Sequence, residues 1–202
     1  MKVKKHNLGH YTVPKDTKNG VCLEIGANVG SFTTKWADHF SKIHFYEPLT
    51  ECFDIVKSKT EGMINVHGFR MAGFNESGIK KHMILHKNEY SGSSGLESDT
   101  LNEDWVETIE TVTTISLVDM IEKMNVKTID YCKCDCETSE FHIFMNQDLS
   151  MIRYIGIEIH NQMGKDKWNK LINYFEKTHE LVSGNRKWRN GHNSEFLFKL
   201  KD

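Results

Sequence analysis

The residues best placed to do chemistry open near the N-terminus. Glu24-Ile25-Gly26-Ala27-Asn28-Val29-Gly30 is a glycine-rich turn with a carboxylate two positions before its first glycine. Such a turn between a strand and a helix lets a ligand approach the backbone at the helix start. The dinucleotide fingerprint is Gly-x-Gly-x-x-Gly, and this run is Gly-x-x-x-Gly. An acid at position 24 repels a pyrophosphate. It suits a ligand that carries positive charge and no phosphate, a requirement that the sulfonium and ammonium of S-adenosylmethionine meet. Seventeen residues after Gly30 comes Glu47, followed by Pro48. In doubly wound folds an acid at the end of the second strand accepts hydrogen bonds from ribose hydroxyls.

Two further runs carry acids and a histidine. Lys133-Cys134-Asp135-Cys136-Glu137-Thr138 and Glu158-Ile159-His160-Asn161 each close an apolar stretch. Alternation puts Lys133, Asp135 and Glu137 on one side. Ligand crevices in open α/β sheets lie beyond the carboxyl ends of the strands, where strand order reverses. Glu24, Asp135, Glu137 and His160 are therefore expected to converge. Methyl transfer from a sulfonium starts from an activated donor, so the main task is to align the acceptor, with help from a base. His160, Asp135 and Glu137 are the candidate bases. A neutral imidazole is competent near pH 7. This logic requires no metal. Asn185-Arg186-Lys187-Trp188-Arg189-Asn190 has the composition of an acceptor-binding lid, with Trp188 able to stack on a sugar face.

The elements that must position these residues alternate in type. Val21–Ile25, Lys42–Tyr46 and Met63–His67 read as strands. Between them fall helical patterns through Phe32, Thr33 and Trp36 and through Phe53 and Val56. Ile79–His86 and Thr108–Thr114 read as extended, and Asn88–Gly95 as a loop. Ser116 is placed to cap a helix carrying Leu117, Met120, Ile121 and Met124. A strand over 129–135, a helix from about Thr138 to Gln147 with Thr138 as its N-cap, and a strand over 152–160 follow. An amphipathic helix over 165–177 and a strand over 195–200 close the chain. Alternation of this kind predicts an α/β fold with a mostly parallel sheet and helices on both faces. The loops near 87–105 and 184–194 are the expected mobile parts.

The 202 residues fit a single domain, with residues 1–19 as an extension near the ligand site. The net charge of −2 gives no global reason to bind nucleic acid, and no apolar run is long enough to span a membrane. Five cysteines, an odd number without a secretory leader, point to reduced thiols and a cytoplasmic setting. Cys132, Cys134 and Cys136 alternate on one strand and read as packing residues rather than ligands.

Glu-Ile-Gly-Ala-Asn-Val-Gly (24–30), Tyr-Glu-Pro (46–48), Thr113-Thr114 before Leu-x-Asp (117–119), Lys-x-Asp-x-Glu (133–137) and Ile-Glu-Ile-His (157–160) occur in this order. Together they resemble the FkbM-type methyltransferase family, over about residues 20–200. The resemblance implies a Rossmann-like class I methyltransferase fold with an antiparallel C-terminal strand. It also implies S-adenosylmethionine as cofactor and transfer of a methyl group to a hydroxyl, often of a sugar, glycan or glycosylated metabolite. The acceptor is then a small molecule or carbohydrate, with no nucleic acid or membrane partner. Glu24, Gly26, Ala27, Asn28, Gly30, Glu47, Pro48 and Asp135 fall on the cofactor side. The sequence departs from the family pattern at Thr138, where the family has glycine, and has Glu24 where aspartate is commoner. Two other readings stand beside this one. A silent S-adenosylmethionine-binding module keeps affinity without transfer. An NAD-dependent oxidoreductase is disfavoured by the missing second glycine and by Glu24.

Overall fold

The structure is a computed structural model that describes residues 11–86, 94–96, 105–189 and 193–202. Its main sheet has seven strands. They are β1 (Val21–Ile25), β2 (Lys42–Tyr46), β3 (Val66–Phe69), β8 (Tyr131–Cys134), β9 (Tyr154–Ile159), β10 (His179–Ser183) and β11 (Ser194–Leu200). Their spatial order is β10-β11-β9-β8-β1-β2-β3. β1 pairs in parallel with β2 and β8, β2 with β3, and β8 with β9. β11 runs antiparallel to both of its neighbours, as expected. Strand order reverses between β1 and β8, so the crevice opens there.

Register brings the carboxyl ends level. Ile25 lies opposite Tyr46 on one side and Cys134 on the other, and Cys134 lies opposite Ile157. The residues that follow each strand end therefore share one rim.

Side-chain parity assigns the two faces. Leu23, Ile25, Cys132, Cys134, Ile155 and Ile157 point into the larger core. That core is covered by α3 (Leu117–Met124), α4 (Glu140–Phe144) and α5 (Lys165–Thr178). α5 buries Trp168, Leu171, Ile172 and Phe175, the stripe its periodicity predicts. Each such side chain contributes about 1.5–3 kcal/mol by leaving water. Trp168 meets Phe196 edge-on at 5.8 Å. The opposite face carries Cys22, Ile43, Tyr131 and Tyr154, which pack with Phe32 of α1 (Ser31–Trp36), Phe40 and Tyr11. α2 (Thr50–Lys59) adds Val56 against Phe45.

A second, four-stranded sheet stands between β3 and α3. It orders β4 (Ala72–Gly73), β7 (Trp105–Ile115), β5 (Lys80–His86) and β6 (Ser94–Leu96) as β4-β7-β5-β6.

Several boundaries differ from the sequence reading. β3 begins at Val66, because Met63 and Asn65 belong to a turn in which Ile64 is almost fully exposed. β10 was not anticipated; it is an edge strand whose burial is confined to His179. Gly95, expected in a loop, lies in β6. α4 spans only Glu140–Phe144 and follows Ser139, so Thr138 is not its cap. Ser116 does cap α3, accepting from the Asp119 amide at 3.2 Å. Much of the anticipated 87–105 loop, and 190–192 of the second loop, lie outside the described residues. No described helix is long and apolar enough to cross a membrane.

Candidate active site

The glycine-rich turn joins β1 to α1 through a left-handed backbone. Gly26, Asn28 and Gly30 have φ of 80°, 49° and 75°. A Cβ at Gly26 would stand 1.9 Å from the Asp135 carbonyl oxygen, so the turn can lie against the end of β8 only with glycine there. The amides of Gly26 and Ala27 donate to the Tyr46 carbonyl at 2.9 and 3.2 Å, which ties the turn to the end of β2.

Glu47 follows directly. Its carboxylate is buried and accepts from the Asn28 amide at 2.8 Å and the Leu49 amide at 3.0 Å, one on each oxygen. Pro48, half-buried, lies between these contacts. Burial pushes the Glu47 pKa up to about 7, against the two amides and Lys133. Two backbone donors hold the group rigid while lone pairs remain on both oxygens.

Glu24 is fully buried beneath α1. Thr33 donates to its Oε2 at 2.7 Å, and Oε1 has no partner among the described residues. Burial pushes its pKa up to about 7 as well, opposed by Lys133 and Thr33. Lys133 is buried between these acids. Its ammonium donates to the Gly26 carbonyl, lies 3.7 Å from Asp135 Oδ2, and faces the ring of Tyr11 at 5.4 Å. The sequence reading set Lys133 beside the site. The structure makes it one of two cations on the turn, with Lys59 donating to the Val29 carbonyl at 2.5 Å.

The other anticipated residues meet past the ends of β8 and β9. His160 Nε2 lies 3.2 Å from Glu137 Oε2 and 3.9 Å from both Asp135 Oδ1 and Glu158 Oε1. Its Nδ1 lies 2.8 Å from Glu140 Oε1, which also accepts from the Cys136 amide at 3.0 Å. One ligand atom each of Asp135, Glu137 and His160 lie within 4.8 Å of one another. The imidazole is 1% exposed, whereas the Asp135 and Glu137 side chains are 28% and 22% exposed. Burial lowers the His160 pKa, but Glu137 and Glu140 outweigh it and raise the pKa well above 6.5. The expected neutral imidazole is thus replaced by a ring held between carboxylates. Glu24 does not join this group; it stays on the α1 side of the sheet with Thr33.

The turn after β8 explains the convergence. Glu137 and Thr138 both have positive φ, 46° and 84°. The chain therefore reverses after Cys136 and returns Glu140 onto His160. Sequence reasoning missed Glu140. Its only signal was a third acid, three residues after Glu137, in the first turn of a short helix. Cys132 and Cys134 are fully buried in the core, as their alternation implied, and Cys136 is half-buried with its sulfur 3.7 Å from that of Cys134. Trp188 is partly buried against the main core, and Asn161 Nδ2 donates to the Arg189 carbonyl at 3.0 Å. The described part of the 184–194 loop is thereby fastened beside His160.

The sequence matches the methyltransferase FkbM domain over residues 24–188. No curated protein matches it. Among solved structures it is similar to the Methanococcus jannaschii fibrillarin pre-rRNA processing protein, with a TM-score of 0.56 at 10% identity over 94% of this chain and 70% of that one. It is also similar to M. capricolum TrmK in complex with S-adenosylhomocysteine, with a TM-score of 0.51 at 8% identity over 92% and 65% of the two chains. A third is the Streptococcus mutans protein SMU.1697c in complex with S-adenosylhomocysteine, with a TM-score of 0.51 at 10% identity over 91% and 90%. At these identities the likeness is one of fold.

Proposed function

The chain belongs to the FkbM methyltransferase family, whose cofactor is S-adenosylmethionine, and we propose that it methylates a hydroxyl group of a sugar, glycan or glycosylated metabolite. The observation that carries the hydroxyl assignment is the set of half-buried carboxylates around His160, on the same rim as Glu47. Carboxylates in that state accept hydrogen bonds from sugar hydroxyls and can take a proton from one of them.

The residues present fit the cofactor. The turn is flanked by two buried acids, Glu24 and Glu47, and one Glu24 oxygen lacks a partner among the described residues. That arrangement suits a cationic ligand without phosphate. When bound, S-adenosylmethionine supplies an activated methyl group on a sulfonium. Glu47 accepts from the ribose hydroxyls, kept in orientation by the Asn28 and Leu49 amides. Gly26, Ala27, Asn28 and Gly30 form the wall of the cofactor cleft, Pro48 fixes the exit from β2, and Lys133 holds the Gly26 carbonyl against the end of β8. Asp135, between Lys133 on the turn side and His160 on the rim, would face both cofactor and acceptor. Asp135 or Glu137 would take the proton of the acceptor hydroxyl. His160 is too buried to reach the acceptor first and orders those two carboxylates. Trp188, packed against the main core, would border the acceptor side. Tyr11 borders the cofactor end beside Lys133, and the whole chain acts as one cytoplasmic domain with a small-molecule or carbohydrate acceptor.

The test pairs calorimetry with mass spectrometry. S-adenosylmethionine and S-adenosylhomocysteine should bind with one-to-one stoichiometry, and NAD should not. A panel of sugars and glycosides should yield products one methyl group heavier, whereas amines and RNA should not. Transfer to an amine or RNA in preference to any hydroxyl overturns the acceptor assignment. Binding without transfer to any acceptor favours the silent module.

A further inference from the structure

The groups around His160 do not balance in charge. Asp135, Glu137 and Glu158 all place an oxygen within 3.9 Å of the single Nε2, and Glu140 sits on Nδ1. Against these four acids stand one imidazole and Lys133, whose ammonium is committed to the Gly26 carbonyl and Asp135. Half-buried like charges at this spacing repel, and a shared proton or a shared cation relieves them; burial raises the Glu137 pKa and pushes that of Glu158 up to about 7.

We propose that Asp135, Glu137 and His160 Nε2 bind a divalent cation of the Mn2+ or Mg2+ class. The inference rests on reading this rim as the acceptor end of the site. Three observations support it. First, the spacing fits. An octahedral ion with bonds of about 2.1 Å sets neighbouring ligands about 3 Å apart and opposite ones about 4.2 Å apart. The separations of 3.2 and 3.9 Å from Nε2 fall within that span, and all three ligand atoms lie within 4.8 Å of one another.

Second, the imidazole is prepared as a ligand. A metal-binding histidine characteristically donates its other ring N–H to a carboxylate. Fully buried Glu140 accepts at Nδ1, and the Cys136 amide fixes Glu140 in turn. That contact leaves Nε2 pointing at Asp135, Glu137 and Glu158. Third, the donor set selects the ion. Two carboxylates and one nitrogen, with no thiolate in the set, favour hard or borderline divalent ions. With the cation in place of the Nε2 proton, the ring is neutral and the site gains one net positive charge against its four acids. Asp135 and Glu137 are open to solvent on one side, which leaves coordination positions for water or an acceptor oxygen. A hydroxyl held there loses its proton more readily.

The test uses the full chain, stripped with chelator and titrated with Mn2+ without cofactor or acceptor. Electron paramagnetic resonance should show one bound ion per chain, with an electron–nuclear coupling to one imidazole nitrogen. Glu137→Gln and Asp135→Asn should each weaken Mn2+ at least about tenfold, while Glu110→Gln on the second sheet should not. His160→Gln should remove the nitrogen coupling; if that variant does not fold, the Glu137 and Asp135 variants decide alone. Absence of stoichiometric binding below about 1 mM Mn2+ overturns the proposal, as does binding without nitrogen coupling or binding unaffected in both carboxylate variants. Normal S-adenosylmethionine binding alongside failed Mn2+ binding removes the metal and leaves the methyltransferase reading intact. Mn2+ binding alongside no transfer to any hydroxyl does the reverse.

Discussion

At the scale of single residues, Glu47 and Glu24 show how a binding site works against the stability of its own fold. Burial raises both carboxylates to about 7. In the unfolded chain they titrate near 4.5. The folded protein therefore holds extra protons between about pH 4.5 and 7, and the contribution of these groups to stability is lost as pH rises through that window. On the proposed reading cofactor binding has the opposite sign, because only an ionised Glu47 would accept from both ribose hydroxyls. Below its pKa the competent fraction falls about tenfold per pH unit. S-adenosylmethionine should thus bind about tenfold more weakly at pH 6 than at pH 8, while the ligand-free protein melts higher at pH 6. Lys133 and Glu24 both face Glu47 electrostatically, so the control is Glu47→Ala. That variant should bind at least tenfold more weakly at pH 8 and lose most of the pH dependence. Calorimetry at the two pH values decides it; a full slope in the variant assigns the dependence to Glu24 instead. The sequence showed both acids through their place at strand ends. It could not show that Glu47 would be fixed by two backbone amides, because those donors carry no side-chain signature.

At the scale of elements, the strands of the parallel sheet were legible because both faces are buried and their runs are apolar. Elements that lack this signal were misplaced. β10 carries Glu180 and exposed Val182 at a sheet edge, so neither alternation nor apolarity marks it. Met63 and Ile64 are apolar but lie in a turn, and they drew the strand boundary three residues too early. The turn from β8 into α4 is the most informative case. Thr138 has the composition of a helix cap, yet its φ of 84° belongs to glycine, the residue the family pattern carries there. A β-branched residue in that region costs about 1–3 kcal/mol. Substitution by glycine relieves the strain, loses one buried methyl worth about 0.8 kcal/mol, and adds about 0.5–1 kcal/mol of unfolded-state entropy. Thr138→Gly should therefore lie between about 1 kcal/mol destabilising and about 2 kcal/mol stabilising. Thr138→Val, which keeps the branch and loses the hydroxyl, should destabilise. Chemical denaturation of the two variants measures the difference. A glycine variant clearly weaker than the valine one would show that the threonine side chain makes a contact worth more than the strain.

At the scale of the whole molecule, the two faces of the sheet are covered unequally. Three helices bury the face of Leu23, Cys132 and Ile157. On the other face α1 has only six residues; its Phe32 stacks on Tyr131 at 6.0 Å, and Tyr154 and Leu197 belong to the same cluster. Tyr11 and Val13, from the segment before β1, complete that face. Tyr11 meets Phe32 edge-on at 6.2 Å and lies 5.4 Å from the Lys133 ammonium, so one ring covers both a core and a cation that holds the glycine turn. Its hydroxyl has no hydrogen-bond partner among the described residues and borders a small cavity with Tyr131, Gly156 and Glu195. Ring and hydroxyl can therefore be separated by substitution. Tyr11→Phe keeps the ring and should change stability by less than about 1 kcal/mol. Tyr11→Ala opens a cavity over α1 and should cost about 3 kcal/mol, a fall of roughly 6–12 °C in Tm for a chain of this size. It should also admit water to Lys133, loosen the Gly26 turn and weaken S-adenosylmethionine several-fold, with Tyr11→Phe close to wild type. Thermal melts and calorimetry on the two variants separate the roles. A large fall in Tm with unchanged cofactor affinity would make the segment a structural strap alone. Wild-type values for both measurements in Tyr11→Ala would remove residues 1–19 from the account of the site.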